Sequence, residues 1–254
     1  VLDDSNAIYL TDDTPNAEPR YRARFYFDPN SISMANGDNH HIFQGYAGTS
    51  TVVMRLQFRF SSGSYQLRAA VRDVASGWTN TSWFTISDAT HWIEFDWGAA
   101  TGAGTNNGGL TLWIDDVERA SLAGINNDTR RIDRVQLGAV NGVDSGTRGT
   151  YYLDAFEARR QSFIGPVGGG SLPTPTNTPT AGPTSTPTNT PGSSDFIFTD
   201  GFESGTLSAW TSNTNDGGDL SVSAAAALVG ANGLQAVLDD SNAIYLTDDT
   251  PNAE

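Results

Sequence analysis

An eighteen-residue stretch occurs twice in this chain, letter for letter. The sequence VLDDSNAIYLTDDTPNAE occupies Val1–Glu18 and returns at Val237–Glu254, so the period is 237 − 1 = 236 residues. Two identical segments of this length point to a repeat, and a repeat governs which folds are possible. We therefore expect the chain to be a window on a periodic protein. The window would open inside one copy of a domain and close at the same point of the next copy.

The period divides the chain into a domain and a linker. One copy is expected to begin near Asp195, to run to Ala236 and to continue as residues 1–166, which makes 208 residues. Residues 167–194 are Gly-rich and then Pro/Thr-rich, a composition that favours extended polyproline geometry and buries no core. Residues 1–166 are thus predicted to be a domain body that lacks its first strands. Residues 195–254 would be the first strands of the next copy.

Period-two alternation of apolar and polar residues runs through the body. In Tyr21–Phe27, Val52–Phe60 and Tyr65–Arg72 the apolar side chains fall on one side, as in strands buried on one face. Similar short segments follow, between clusters of Gly, Asn, Asp and Ser, at Trp83–Ile86, His91–Trp97, Leu110–Val117, Arg134–Leu137 and Thr150–Arg159. No stretch shows a convincing helical period. Many short strands at this spacing predict an all-β, antiparallel two-sheet sandwich.

Charge and composition argue against several classes of partner. The net charge is −15, and all fourteen basic residues are arginine. An acidic chain is a poor ligand for nucleic acid or for an anionic membrane. Cysteine is absent, so there is no disulfide framework and no thiolate metal site. No apolar run approaches the roughly 20 residues of a membrane span. We therefore expect neither nucleic acid nor a membrane span.

Several motifs resemble the laminin-G-like, concanavalin-A-like jelly-roll modules. LTLWIDDVERASL at Leu110–Leu122 is similar to a strand–turn–strand of that module, and RVQLG at Arg134–Gly138 and YYLDAF at Tyr151–Phe156 fit it too. FTDGFESGTLSAW at Phe198–Trp210 resembles the first strand of bacterial secreted jelly rolls. The resemblance implies a jelly roll whose first and last strands lie side by side. The Thr-Pro linker is similar to those between modules of secreted and surface-displayed bacterial proteins, which implies an extracellular or cell-surface location.

The resemblance also implies a metal site. Related jelly rolls carry a structural Ca²⁺ between the first and last strands, and here Asp154, Asp200 and Glu203 would be its ligands. Calcium takes six to eight oxygen ligands, carboxylates among them. We therefore expect a structural calcium ion at most, and no other cofactor.

A glucanase motif is incomplete. Concanavalin-A-like glucanases carry an E-x-D-x-x-E strand, and HWIEFDWGA places Glu94 and Asp96 at its first two positions but Ala99 at the third. Retaining glycosidases need both a nucleophile and an acid/base carboxylate. The sequence analysis therefore predicts no enzymatic activity.

Two further patterns suggest binding surfaces. Trp78, in a predicted loop, is the best candidate for stacking on a sugar ring, because tryptophans on strands more often pack in the core. Six arginines fall on the polar faces of three predicted strands: Arg22, Arg24, Arg55, Arg59, Arg68 and Arg72. Either they form a solvated sheet face or they contact the acidic repeat segment, with its residues Asp3, Asp4, Asp12, Asp13 and Glu18.

The repeat predicts how copies join. Asp195–Ala236 alone would expose strand edges and an apolar face, and such edges recruit other strands. The expected contact residues are Phe196, Phe198, Phe202 and Trp210. Closing back onto the same body is expected to be disfavoured, because Val237–Glu254 would compete with the identical Val1–Glu18 for one slot. The contact would then run head to tail between neighbouring copies and generate a fibre.

The predicted function is a structural subunit of a repeating extracellular filament or surface stalk. The alternative is a carbohydrate-binding, lectin-like module of a secreted or surface protein. Ser/Thr-rich tracts with Pro have the composition of O-glycosylated stalks, so covalently attached glycans are expected on the linker. Its eight threonines are Thr174, Thr176, Thr178, Thr180, Thr184, Thr186, Thr188 and Thr190.

Overall fold

The computed structural model describes residues 7–168, 195–210, 212–214, 218, 220–236 and 244–248. The predicted linker threonines lie outside the described residues, as do Asp3 and Asp4. For these the predictions above remain predictions. Among the described residues, no helix has the length and apolar character needed to cross a membrane.

The described chain is built from β-strands. A short 3₁₀ turn, Ala224–Ala226, follows the strand Leu220–Ser223. The strands are β1 Ile8–Asp12, β2 Arg20–Asp28, β3 Asn39–Ala47, β4 Thr51–Ser61, β5 Ser64–Arg72, β6 Trp78–Asn80, β7 Phe84–Ile86, β8 His91–Gly98, β9 Gly108–Ile114, β10 Val117–Ile125, β11 Arg134–Asn141, β12 Tyr152–Arg159, β13 Phe196–Asp200, β14 Ser212–Thr214, β15 Leu220–Ser223, β16 Gly233–Ala236 and β17 Ile244–Asp248. The all-β prediction is confirmed.

The strands form two sheets. The first has the order β14-β17-β1-β11-β3-β4-β5-β6, with β7 also beside β5. The second has the order β10-β9-β8-β2-β12-β16-β15, with β13 also beside β12. Every described pairing between strands is antiparallel except that of β1 with β17. The predicted jelly-roll sandwich of two antiparallel sheets is thus confirmed, with this single parallel pair as an addition.

An aromatic core joins the sheets. Phe25 and Phe27 of β2 lie on the inner face of the second sheet, as the alternation of that segment predicts, and both are fully buried. Their rings face the first sheet, with centroids 6.3 Å apart for Phe25 and Phe43 and 5.0 Å apart for Phe27 and Phe58. Each such side chain contributes about 1.5–3 kcal/mol by its burial. These contacts fix which side of each strand faces outward.

Strand β3 has no counterpart among the predicted strands. Its sequence, NHHIFQGYA, does not alternate, because the register against β4 shifts between His41 and Phe43 and again between Gly45 and Tyr46. A bulge places two residues opposite one and breaks the period of two. Ile42 and Phe43, which are adjacent in sequence, are both fully buried for this reason.

The C-terminal segment packs onto the body of its own chain. Strand β13 pairs with β12, so the first strand of the predicted domain lies beside its last strand, as the resemblance implies. Strand β16 also pairs with β12 through Leu153 and Leu234. The expectation that such closure is disfavoured is wrong for the described chain. No competition occurs, because β1 holds the place beside β11 and β17 adds to the other edge of β1.

Candidate functional site

The six outward arginines lie on two sheets. Arg22 and Arg24 belong to β2 of the second sheet, whereas the other four belong to β4 and β5 of the first sheet. They therefore do not share one sheet face. The alternation correctly predicted that each arginine points away from the core, but it carries no information about which sheet a strand joins.

On the second sheet the arginines are neutralised. Arg22 lies 3.4 Å from Glu94 and 3.1 Å from Asp96. Arg24 lies 2.9 Å from Glu157. Glu94 is fully buried, and its carboxylate also accepts the N–H groups of Ile164 and Gly165 at 3.0 and 2.9 Å. Burial raises the pKa of Glu94. The two carboxylates of the partial glucanase motif are thus held in ion pairs, with Glu94 also covered by the chain after β12.

Four arginines and two tryptophans form a different surface on the first sheet. We call Arg55, Arg59, Arg68, Arg72, Trp78 and Trp83 the arginine–tryptophan surface. The Arg55 guanidinium carbon lies 4.1 Å from the centre of the Trp78 ring, and that of Arg72 lies 5.9 Å from it. The same atoms of Arg59 and Arg68 lie 4.0 and 4.4 Å from the Trp83 ring. Each tryptophan ring therefore makes cation–π contacts with two guanidinium groups.

Alternation along β4 and β5 puts these side chains outside. Met54, Leu56 and Phe58 of β4 are buried in the core, so the arginines between them face outward. The β4–β5 register places Gln57 opposite Arg68, and Arg59 opposite Gln66.

Glutamines hold two of the guanidiniums in place. Arg68 Nε donates to Gln57 Oε1 at 2.8 Å, and Arg59 Nε donates to Gln66 Oε1 at 2.7 Å. The partners are neutral amides, which orient a guanidinium without cancelling its charge.

The positive charge of this surface is not compensated. Within the described residues, none of its four arginines forms an ion pair, although six other arginines do: Arg20, Arg22, Arg24, Arg134, Arg159 and Arg160. The pKa of Arg55 is lowered by burial and then by the charges of Arg68 and Arg72. Burial and the Arg55 and Arg68 charges lower the pKa of His41 to about 4, so that His41 is neutral at pH 7.

The acidic residues of the repeat segment that the structure describes bond to groups outside this surface. Asp12 accepts hydrogen bonds from Thr14, Asp13 accepts one from Arg134 Nη2 at 2.7 Å, and Glu18 accepts one from Arg160 Nη2 at 2.7 Å. The predicted contact between this segment and the outward arginines is therefore wrong for Asp12, Asp13 and Glu18. The segment instead uses arginines that the sequence analysis had not singled out.

The predicted calcium ligands accept backbone hydrogen bonds. Asp154 Oδ2 accepts from the N–H groups of Leu228 and Val229, each at 2.9 Å. Asp200 Oδ2 accepts from the indole N–H of Trp210 at 2.7 Å. Glu203 accepts from N–H groups in residues 231–232, the nearest at 3.0 Å. Among the described residues no group of three His, Asp or Glu is placed to hold a metal ion. Calcium binding stays a prediction.

The predicted assembly residues lie at the seam between the C-terminal segment and the body. Phe202 is 1 % exposed, and Phe198 and Trp210 are also buried. The Phe198 ring centre lies 4.8 Å from that of Trp210 and 6.2 Å from that of Phe156 on β12. Phe196 is half-buried, and its backbone pairs with β12. The apolar face of the segment is thus covered by the body of the same chain.

Comparisons with known proteins give similar folds and no family. No protein-family model matches the chain, and no curated protein sequence matches it. Among solved structures, alginate lyase vAL-1 from Chlorella virus shares 15 % identity at a TM-score of 0.40, over 57 % of this chain and 72 % of its own. The SAP-like pentraxin from Limulus polyphemus shares 10 % identity at 0.43, over 62 % and 72 %. Domain 4 of AbnA, an arabinanase from Geobacillus stearothermophilus, shares 13 % at 0.35, over 56 % and 61 %.

These likenesses bear on the enzyme prediction. The sequence analysis predicted no enzymatic activity, and this prediction is corrected here, because alginate lyases are among the similar solved structures. The sandwich fold is shared by proteins with catalytic and with non-catalytic names. At identities and TM-scores this low, the likenesses assign no activity or ligand to this chain.

Proposed function

We propose that the chain is a unit of a repeating extracellular filament or bacterial surface stalk. In this proposal the C-terminal strands of one copy complete the jelly-roll body of the next copy, and the O-glycosylated linker connects them. The observation that carries the proposal is the seam just described. The body needs residues 195–236 to cover its apolar edge, and the covalent connection between the body and this segment runs through the linker.

The buried anchors give the seam its strength. Phe202 and Trp210 are almost fully covered, and Leu234 is also buried beside Leu153 of β12. Each buried side chain of this size contributes about 1.5–3 kcal/mol. Without the segment, the β12 edge that pairs with β13 would be open, and open edges recruit strands from other chains.

Closure within one chain and exchange between copies use the same contacts. An element that is connected through a linker can pack on its own body or on that of a neighbour, and domain swapping of this kind costs little. Protein concentration during folding then decides the outcome. The heterologous arrangement does not close on itself, so it extends into a fibre.

The test compares two chains. The first is the full chain, unfolded and refolded over a range of concentrations. The second is a permuted chain in which Asp195–Glu254 is joined directly to Pro19–Pro166, so that each strand occurs once and in the predicted domain order. Sedimentation velocity and electron microscopy report the assembly state.

We expect the full chain to form concentration-dependent head-to-tail oligomers and the permuted chain to stay monomeric. A full chain that stays monomeric at every refolding concentration would refute strand completion between copies. A permuted chain that fails to fold would refute the proposed domain boundaries.

The alternative prediction, carbohydrate binding, is supported by the arginine–tryptophan surface. Trp78 was the predicted stacking residue. Its predicted loop position is wrong, because Trp78 begins β6, and it lies half-buried on the outer side of the first sheet together with Trp83. We therefore propose sugar binding at this surface as a second function. Titration of glycans against the tryptophan fluorescence tests it, and absence of any saturable change would remove it.

A further inference from the structure

We propose that the arginine–tryptophan surface is a binding site for an acidic polysaccharide, one that carries carboxylate or sulfate groups along its chain. This inference rests on the second proposed function and names its ligand class. It starts from the charge distribution. The protein carries a net charge of −15, yet four arginines are gathered here without a carboxylate partner among the described residues.

An anion would relieve a real electrostatic cost. Burial and then the neighbouring like charges lower the pKa of Arg55, and the pKa of Arg68 is lowered by burial and by Arg59. The Nε atoms of Arg55 and Arg72 are buried without a hydrogen-bond partner. Guanidinium groups form their strongest hydrogen bonds with carboxylates, sulfates and phosphates, often in bidentate geometry. A bound anion would therefore supply the missing negative charge.

The spacing suits a polymer better than a small ion. One cluster contains Arg55, Arg72 and Trp78, and the other contains Arg59, Arg68 and Trp83. Arg55 and Arg59 are four residues apart on β4, which corresponds to about 13 Å along the strand. A single small anion cannot bridge this distance. A chain that carries a charge at regular intervals reaches both clusters at once, which gives the gain of multivalent binding.

Neutral polar side chains on the same face bond to one another beside the arginines. Gln44 lies opposite Arg55 in the β3–β4 register, and His41 lies opposite Gln57. Gln44 Nε2 lies 2.5 Å from His41 Nδ1, and the Tyr46 hydroxyl donates to Gln136 at 2.6 Å. Gln44 and Tyr46 are buried, so these groups support the face, and contacts with a ligand fall to the guanidinium groups and the indole rings.

A polysaccharide fits the whole molecule better than nucleic acid does. The many carboxylates of this chain repel a uniformly charged phosphate backbone at long range. The same repulsion acts on an acidic glycan, but its sugar rings also offer hydroxyl groups and apolar faces, so its contacts with this face do not depend on charge alone.

The experiment uses the full chain and matched pairs of ligands. Isothermal titration compares polygalacturonate oligomers with their methyl esters, and dextran sulfate with dextran of the same length. Comparison of the two pairs distinguishes binding of carboxylate from binding of sulfate. Within each pair, the effect of the charge is distinguished from that of the sugar chain. The test variant is R59Q/R68Q, and R119Q is the control because Arg119 is exposed on β10 of the other sheet. The single variant R72Q is a second test, and thermal melts confirm the folding of each protein.

We expect saturable binding to at least one acidic glycan that weakens as salt rises, and no binding to its neutral counterpart. We expect R59Q/R68Q to weaken the affinity at least about tenfold for each arginine removed. R119Q should bind as the parent chain does. R72Q should also bind more weakly than the parent chain.

Four results would overturn the inference. Equal binding of acidic and neutral glycans would leave sugar binding standing but remove the requirement for charge. Equal losses in R119Q and R59Q/R68Q would show non-specific charge attraction, and polyglutamate binding as tightly as polygalacturonate would point to an acidic polypeptide instead. If no glycan binds at all, both the inference and the second proposed function fail.

Discussion

The parallel pair of β1 and β17 makes a direct prediction about pH. Its two strands have the same sequence, IYLTD, and run in register, so that Asp12 lies opposite Asp248. Asp12 is 2 % exposed and Asp248 is 4 % exposed. Asp12 Oδ1 accepts from the N–H and the hydroxyl of Thr14, whereas Asp12 Oδ2 is buried without a hydrogen-bond partner. Two buried carboxylates thus lie side by side on paired strands.

Burial is the main cause that raises the pKa of Asp12 from 3.8 to about 7, with the charges of Asp248 and Asp13 adding to it and the Thr14 hydrogen bonds opposing it. A folded-state pKa above the unfolded value means that the folded chain binds this proton more tightly. The resulting stability is fully present below pH 3.8 and is lost as the pH rises through about 7. A shift of about three pKa units corresponds to about 4 kcal/mol.

The perturbation is Asp12→Asn, which keeps an oxygen for Thr14 and removes the charge. We expect the free energy of unfolding of D12N, relative to the parent chain, to increase by about 4 kcal/mol between pH 4 and pH 8. Urea denaturation at half-unit pH steps measures this difference. The difference cancels the contributions of the carboxylates that do not interact with Asp12, which both proteins share.

The matched control is Asp116→Asn. Asp116 is exposed in the β9–β10 turn at a φ of 64°, a conformation that asparagine also tolerates. D116N should track the parent chain at every pH. If the D12N difference is constant from pH 4 to pH 8, Asp12 is not protonated in the folded chain, and the argument from its burial is refuted.

Four further results are expected. Trp210→Ala should lower the unfolding free energy by about 3–5 kcal/mol in urea denaturation, because it empties a buried site at the seam; a loss below about 1 kcal/mol would show a loose seam. Gly138→Ala should weaken the attachment of β1 and speed hydrogen exchange there, since an added Cβ would lie 2.3 Å from the Ile8 carbonyl oxygen at a φ of +134°. Protection of β1 equal to that of the parent chain would contradict this. Calcium should raise the melting temperature if the three predicted carboxylates bind it, and a melt indifferent to calcium and chelator would remove the prediction. The measured mass of the native linker peptide should exceed the mass calculated from its sequence, because glycans are attached. Equality of the two masses would exclude glycosylation.

Local pattern predicts the hairpins well. The turn at Ser62 and Gly63 joins β4 to β5, and both residues have positive φ angles. The motif LTLWIDDVERASL forms β9 and β10, joined by Asp115 and Asp116, which also have positive φ angles. These features depend on residues that are close in sequence, so a single sequence contains the information needed to predict them.

Contacts between distant segments were the harder part. Arg22 and Arg59 look alike in an alternating strand, yet one is neutralised by Glu94 and Asp96 and the other stacks on Trp83. The difference comes from which strand pairs with which, over separations that no local pattern encodes. The tryptophan neighbours of the arginines were therefore missed. A signal did exist, because Trp78 and Trp83 follow closely after the alternating arginines of β5.

Because the two repeat segments are identical, the sequence predicts that both fit the same position in the sheet. It does not predict whether the second copy can join the same sheet elsewhere. In the described chain the second copy adds to the edge of the first, and β14 then pairs with the far side of β17. This arrangement covers the edge that would otherwise accept another strand. It also brings two identical carboxylates together, which a body holding one copy would avoid. Proton binding at Asp12 therefore bears on the proposed assembly. The protonated Asp12 stabilises the closed chain at low pH, and this stabilisation is lost as the pH rises through about 7.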